Sequence, residues 1–208
     1  MSKKLHYGLL LLIISSVCVA GIDGAYIAVK DKIDVARKEK DLKSAAEVLY
    51  LDDLSKLKEK KFEYTDSTGA KQTITYYEYE EKHLLAVQGS AQGFGGKVEV
   101  IVGWTEDDPN KIVGISVSAP KETPGFGDNV NVILSENTWY NRFTGTMKDE
   151  GGKRPWFQEQ FSGKTIDPVK LKKDSGKIDA ITGATITSNA VVQAVRASHE
   201  LKRRILKE

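Results

Sequence analysis

The chain has 208 residues, with 31 Lys and Arg against 29 Asp and Glu, a formal charge of +2. Lys3, Lys4 and Lys30 against Asp23 already account for that charge, so Asp31 to Glu208 is formally neutral and offers no basic face for nucleic acid. One cysteine (Cys18) and three scattered histidines (His6, His83, His199) exclude an intramolecular disulfide, a Cys-rich zinc site and a C-x-x-C-H haem site, and argue against a His-based metal site.

An apolar run from Tyr7 to Val29 follows Lys3 and Lys4, broken only by Ser15, Ser16 and Asp23. A spanning helix takes about 20 mainly apolar residues, and this run is long enough. The positive-inside rule keeps the lysine-bearing tip in the cytoplasm and places the following domain outside. A carboxylate at mid-membrane costs roughly 2.5–3.5 kcal/mol, but Asp23 lies toward the outer end, within reach of water or a partner helix. The competing reading is a cleaved signal peptide, since Cys18-Val19-Ala20 loosely matches a small-residue cleavage site. The domain is exported in both readings, and Cys18 reads as a lipid- or helix-facing residue.

Asp31 to Lys61 is highly charged, with Leu42, Ala45, Ala46 and Leu49 at helical spacing. It predicts a solvated helix leading away from the membrane. From Lys71 the period changes to two: "QTITYYEYEE" alternates, and "KVEVIVGW" puts Val98, Val100, Val102 and Trp104 on one face and Glu99 and Ile101 on the other. "EDDPN" is a turn and "KIVGISVSA" a further strand. Asp128 to Phe143 and Trp156 to Phe161 read as short helices or mixed structure. Asn189 to Leu206 is an amphipathic helix with Val191, Ala194, Val195, Ser198, Leu201 and Ile205 on one stripe. Lys202, Arg203, Arg204 and Lys207 suit its C-terminal dipole end. The expected organisation is an anchor over 1–30, a charged helical connector over 31–70 and one α+β domain over 71–208.

Just before that last helix stands "DAITGATITSNA", Asp179 to Ala190, rich in hydroxyls and small residues. One reading is a capped turn: Thr187 or Ser188 caps the helix and Gly183 permits the bend. That leaves Thr182 and Thr185 unexplained. The other reading is a phosphate site, since a helix start offers free N–H donors and the positive dipole end, and small residues let a phosphate ester approach. A hydroxyl there either donates to the phosphate or is esterified by it. The spacing is not that of a Walker A loop.

Asp179-Ala180-Ile181-Thr182-Gly183-Ala184-Thr185 resembles the D-x-x-[ST]-G-A-T attachment motif of the FMN-binding domain family, which includes subunits of Rnf- and Nqr-type membrane respiratory complexes. The resemblance implies that Thr185 carries FMN through a phosphoester bond, made by a flavin transferase that takes FMN from FAD. It implies that Asp179 helps the transferase recognise the site. Glu122-Thr123-Pro124-Gly125-Phe126-Gly127 resembles the family's E-T-P-G-x-G loop; read alone, it is a turn with Pro124 fixing φ and Gly125 free to adopt φ > 0. Beside the first motif, Glu122, Thr123, Gly125 and Phe126 are expected to wall a flavin pocket, with Phe126 against the ring. Gly93 to Trp104 and Phe161 to Lys164 are further landmarks; Lys164 is expected near the flavin or its phosphate, or simply solvated, and Trp104 and Trp139 in the core.

The implied fold is α+β: a single N-terminal transmembrane helix, then one exported FMN-binding domain with a mainly antiparallel sheet and flanking helices. The implied function is electron transfer within an Rnf-type complex that couples ferredoxin oxidation and NAD reduction to ion movement, with the other membrane subunits as partners. Its single span and size look more like Rnf-type than Nqr-type members. FMN would carry the chemistry and Thr185 would be a tether, so no catalytic residue is expected. The alternatives are a stand-alone extracellular flavin carrier and a non-redox anchored scaffold whose threonines only cap a helix. A hydrolase finds no G-x-S-x-G and no His cluster.

Overall fold

The computed structural model describes residues 3–51, 53–65, 69, 71–134 and 154–207. The chain forms two compact units, Met1–Asp41 and Leu42–Glu208. The first holds most of helix α1 (Lys3–Val48). An 18-residue window of this helix has a mean hydropathy of 2.0, and its side chains stand exposed. By length and composition α1 is able to cross a membrane.

The second unit is built on five antiparallel strands in simple chain order: β1 (Lys58–Thr65), β2 (Lys71–Tyr79), β3 (Leu84–Gln92), β4 (Lys97–Thr105) and β5 (Ile112–Ser118). Helix α2 (Trp156–Glu159) is a single turn, and helix α3 (Thr185–Ile205) closes the fold. The alternation read in β4 holds. Val98, Val100, Val102 and Trp104 are buried with Val191, Ala194 and Val195 of α3. Ile101 points the other way, into a cluster with Tyr77, Tyr79, Ala86, Ala45, Ala46 and Leu49. Both faces of the sheet are thus covered within this unit.

The connector differs from expectation. Helix α1 stops at Val48 instead of running to Lys61, because Tyr50 turns into the left-handed region (φ 54°). The Arg154 guanidinium lies 4.0 Å over the Tyr50 ring and donates to the Glu47 carbonyl, which also accepts from the Tyr50 N–H (3.2 Å) at this helix end. Residues Lys58–Thr65 then form a strand where a solvated helix was expected. Its charged side chains occupy both faces and conceal the period of two; Lys58 reaches Glu80, just past the end of β2, at 2.7 Å. Gly127–Asn131 forms a 3-10 turn, and the remainder of the element expected over Asp128 to Phe143, with Trp139, lies largely outside the described residues.

Helix α3 lies directly on β3. A Cβ added at Gly89 would strike the Ala194 carbonyl oxygen and come within 2.7 Å of the Ser198 nitrogen. Ser198 Oγ donates to the Val87 carbonyl (2.9 Å) and accepts from Trp104 Nε1 (3.1 Å). Toward the C-terminal end, Lys202, read in the sequence only as a cation suited to the dipole end, is buried. Its Nζ donates to the carbonyls of Pro109 (2.8 Å) and Thr105 (3.2 Å) and sits 5.1 Å from the Trp104 ring centre. Burial pushes its pKa down to about 8, against the opposing pull of Asp108 and Glu106.

Two outcomes follow from this packing. Gly89→Ala should destabilise the fold by roughly 1–3 kcal/mol or more, since rigid backbone must move, and chemical denaturation measures it. For Lys202, the unfolded chain binds the proton more tightly than the folded one. Its contribution to stability is therefore full above its ordinary pKa and falls away as the pH drops through about 8. The stability of the wild type relative to Lys202→Met should rise between about pH 8 and about pH 10. Parallel stability curves for the two proteins would contradict the assignment.

Candidate functional site

The start of α3 is set by a β-turn. The Ala184 N–H closes it on the Ile181 carbonyl (3.0 Å), and Gly183 takes φ 77°, as the third position of a type II turn requires. The helix begins at Thr185, and no side chain caps it. Thr187 and Ser188 lie inside the first turn and are not caps, which corrects the capped-turn reading. Ser188 is buried; its Oγ accepts from the Ile181 N–H (2.9 Å) and donates to the Ala184 carbonyl (2.9 Å), locking the turn to the helix. Thr187, 1% exposed, donates its hydroxyl to Glu122 Oε2 at 2.5 Å.

The stretch after β5 forms a second turn of the same kind. Phe126 N–H closes on the Thr123 carbonyl (3.1 Å), Pro124 precedes, and Gly125 takes φ 76°. Gly125 serves the turn; its carbonyl accepts from Asn129 Nδ2 (2.9 Å). The turn brings the Phe126 ring over the other glycine: a Cβ on Gly183 would lie 2.9 Å from Phe126 Cδ1.

Between these turns and the β3–β4 loop opens a cleft of about 400 Å³, lined by residues of three segments. Phe94 comes from the β3–β4 loop. Glu122, Thr123, Phe126 and Gly127 come from the loop after β5. Gly183, Ala184, Thr185, Ile186 and Thr187 come from the start of α3. Seven of the residues singled out in the sequence therefore meet here: Glu122, Thr123, Phe126, Gly183, Ala184, Thr185 and Thr187. Phe94 was named only as part of a landmark. It is 69% exposed, and Phe126 is 53% exposed. Two large aromatic rings left open to solvent at one cleft are the signal that Gly93-Phe94-Gly95-Gly96 is more than a hairpin turn.

The hydroxyls are sorted by their surroundings. Those of Thr187 and Ser188 are buried and bonded. Thr182 is exposed but outside the cleft lining, whereas Thr185 is exposed and inside it. The first N–H groups of a helix have no intrahelical acceptor, and no acidic side chain stands in the first turn of α3. The residues present thus fit a phosphate ester at Thr185 with a flat ring between apolar walls.

Asp179 stands just outside. Its backbone is held by the Gln160 side chain, with Asp179 N–H donating at 2.7 Å, and its carboxylate is exposed and paired with Lys172 Nζ (2.8 Å). Lys164 lies elsewhere. Its carbonyl accepts from the Ile112 N–H at the start of β5, whereas the cleft lies past the other end of that strand, about 20 Å away along it. The expectation that it neighbours the phosphate is not met.

Residues 93–200, just over half of the chain, match the FMN-binding domain family, and this span includes every residue lining the cleft. The chain is 33% identical over 117 residues to the G subunit of the ion-translocating oxidoreductase complex of Vibrio vulnificus (strain YJ016), covering 56% of this chain and 47% of that protein. It is 36% identical over 117 residues to the protein of the same description from Vibrio parahaemolyticus serotype O3:K6, with the same coverage. Against that of Aliivibrio fischeri (strain MJ11) it is 31% identical over 135 residues, covering 63% and 56%. The chain spans about half the length of the curated relatives it matches. With its motifs gathered at one cleft inside the matched span, the chain belongs to the FMN-binding domain family.

Proposed function

We propose that this chain is the flavin-carrying subunit of an Rnf-type, ion-translocating membrane complex, with FMN joined through a phosphoester to Thr185. The observation that carries the reading is the exposed Thr185 hydroxyl at an uncapped helix start, inside a cleft flanked by two exposed aromatic rings. The family match and the names of the relatives agree with it. The other hydroxyls of the motif are less suited: two are buried and bonded, and Thr182 lies outside the lining.

In the attachment step Thr185 Oγ1 attacks the FMN phosphorus of FAD. The bond from that phosphorus to the AMP moiety breaks, AMP leaves, and the hydroxyl proton is lost. A flavin transferase supplies this step, and the exposed Asp179 is its recognition contact, acting through the transferase's magnesium. The start of α3 then holds the phosphate with its free N–H groups and dipole. Phe94 and Phe126 flank the ring, and Thr123, Gly183 and Ala184 keep the walls close. Bound FMN supplies the electron-carrying chemistry; the protein positions it and leaves an edge open to partners.

Helix α1 anchors residues 1–30 in the membrane, with the lysine-bearing tip in the cytoplasm and the FMN-binding domain on the outer side. Residues 31–41 lead from the anchor to the folded unit, Leu42–Glu208, which takes in the rest of the connector expected over 31–70. A covalent bond suits that side, where a dissociated flavin would be lost. Electrons pass between the flavin and other subunits of the complex.

The full chain, expressed with and without a flavin transferase, should gain the mass of one FMN less one water only with the transferase. The gain should survive denaturation and be absent in Thr185→Val. An unmodified wild-type chain beside a transferase active on another substrate would contradict the proposal.

A further inference from the structure

Glu122 is 6% exposed, yet both carboxylate oxygens have donors from distant segments. Oε1 accepts from the Gly95 N–H of the β3–β4 loop (3.0 Å). Oε2 accepts from Thr187 Oγ1 in the first turn of α3 (2.5 Å). Two glycines make room for it, and a third lets the loops meet. A Cβ on Gly93 would strike Oε1, one on Gly127 would lie 2.6 Å from Oε2, and Gly95 packs against the backbone at Lys121. The glycines of both loops therefore serve this carboxylate as much as they serve turns.

We infer that Glu122 is the positioning residue of the cleft: its carboxylate ties the first turn of α3 to the β3–β4 loop and so fixes Thr185 in the cleft that Phe94 and Phe126 also line. This rests on the proposed attachment of FMN at Thr185. The first turn of a helix has the fewest internal hydrogen bonds and frays first. Here Ser188 holds that turn to the preceding chain, and Glu122, through Thr187, holds it to the opposite wall. Thr185 is two residues from Thr187, so loss of the Glu122 contact frees the reacting hydroxyl from its frame. Glu122 touches neither the reacting oxygen nor any group that changes protonation in the attachment step.

The test compares full-length Glu122→Ala, Glu122→Gln and Lys202→Met chains with wild type. Lys202 lies at the far end of α3, and Lys202→Met controls for a change of stability remote from the cleft. With FAD, magnesium and a limiting amount of transferase, Glu122→Ala should be labelled at least about tenfold more slowly, the scale of losing a hydrogen bond to a charged group. Glu122→Gln should stay within about threefold, since its amide oxygen accepts from Gly95 and its NH₂ donates to Thr187 Oγ1. In the unlabelled chains, amide hydrogen exchange over residues 188–190, the first amides of α3 with an acceptor inside the helix, should accelerate in Glu122→Ala and not in Lys202→Met. Wild-type labelling rates in Glu122→Ala would overturn the inference. So would slowing that follows thermal stability equally across Glu122→Ala and Lys202→Met. If the wild-type chain is not labelled at all, the attachment proposal fails, and unchanged exchange over 188–190 in Glu122→Ala would separately overturn the clamp.

Discussion

Where α3 crosses β3 at Gly89, the two backbones touch with no side chain between them. The contact fixes the helix antiparallel to the strand, with Ser198 bonded to Val87 and Lys202 over the β4–β5 turn. From Ala194 back to Thr185 the helix covers about 14 Å. From Gly89 forward to Gly93 the strand covers about 13 Å. The start of α3 therefore arrives beside the β3–β4 loop, and its positive dipole end faces the cleft. Any bulkier residue at Gly89 would lift the helix and separate the walls.

A carboxylate buried beside a proposed phosphate is unfavourable at first sight. Glu122 resolves this by committing both oxygens to Gly95 and Thr187, leaving the N–H groups of the helix start without an acidic neighbour in their own turn. The hydroxyls divide the same way. Ser188 and Thr187 build the frame, and Thr185 is left exposed within it. A run of similar side chains thus acquires different roles from burial alone.

The sheet and the last helix are legible in the sequence because their burial is one-sided. Val98 to Trp104 alternates, and Val191, Ala194, Val195 and Ser198 repeat at helical spacing. Leu42, Ala45, Ala46 and Leu49 also stand at the right spacing, although what they pack on is not visible there. β1 escapes a sequence reading because lysine and glutamate populate both of its faces. The motif residues at the cleft are legible by resemblance, but their division of labour is not. The contact of Glu122 with Thr187 spans 65 positions, and no local pattern reports it. Lys202 reads in the sequence as a cation suited to the dipole end of α3, whereas the β4–β5 turn folds over it and supplies two carbonyls. Lys164 is drawn to the site by the landmark it belongs to, but its bond to Ile112 holds it at the opposite end of β5.

The central claim is that geometry selects one hydroxyl among four in this motif. Peptide mapping of the chain purified from membranes containing a flavin transferase tests it most directly, by locating the flavin phosphate within residues 179–196. The account predicts the modification on Thr185 and nowhere else in that peptide. Modification at Thr182, Thr187 or Ser188 would contradict it, because the first lies outside the cleft and the other two would have to leave the frame that builds it.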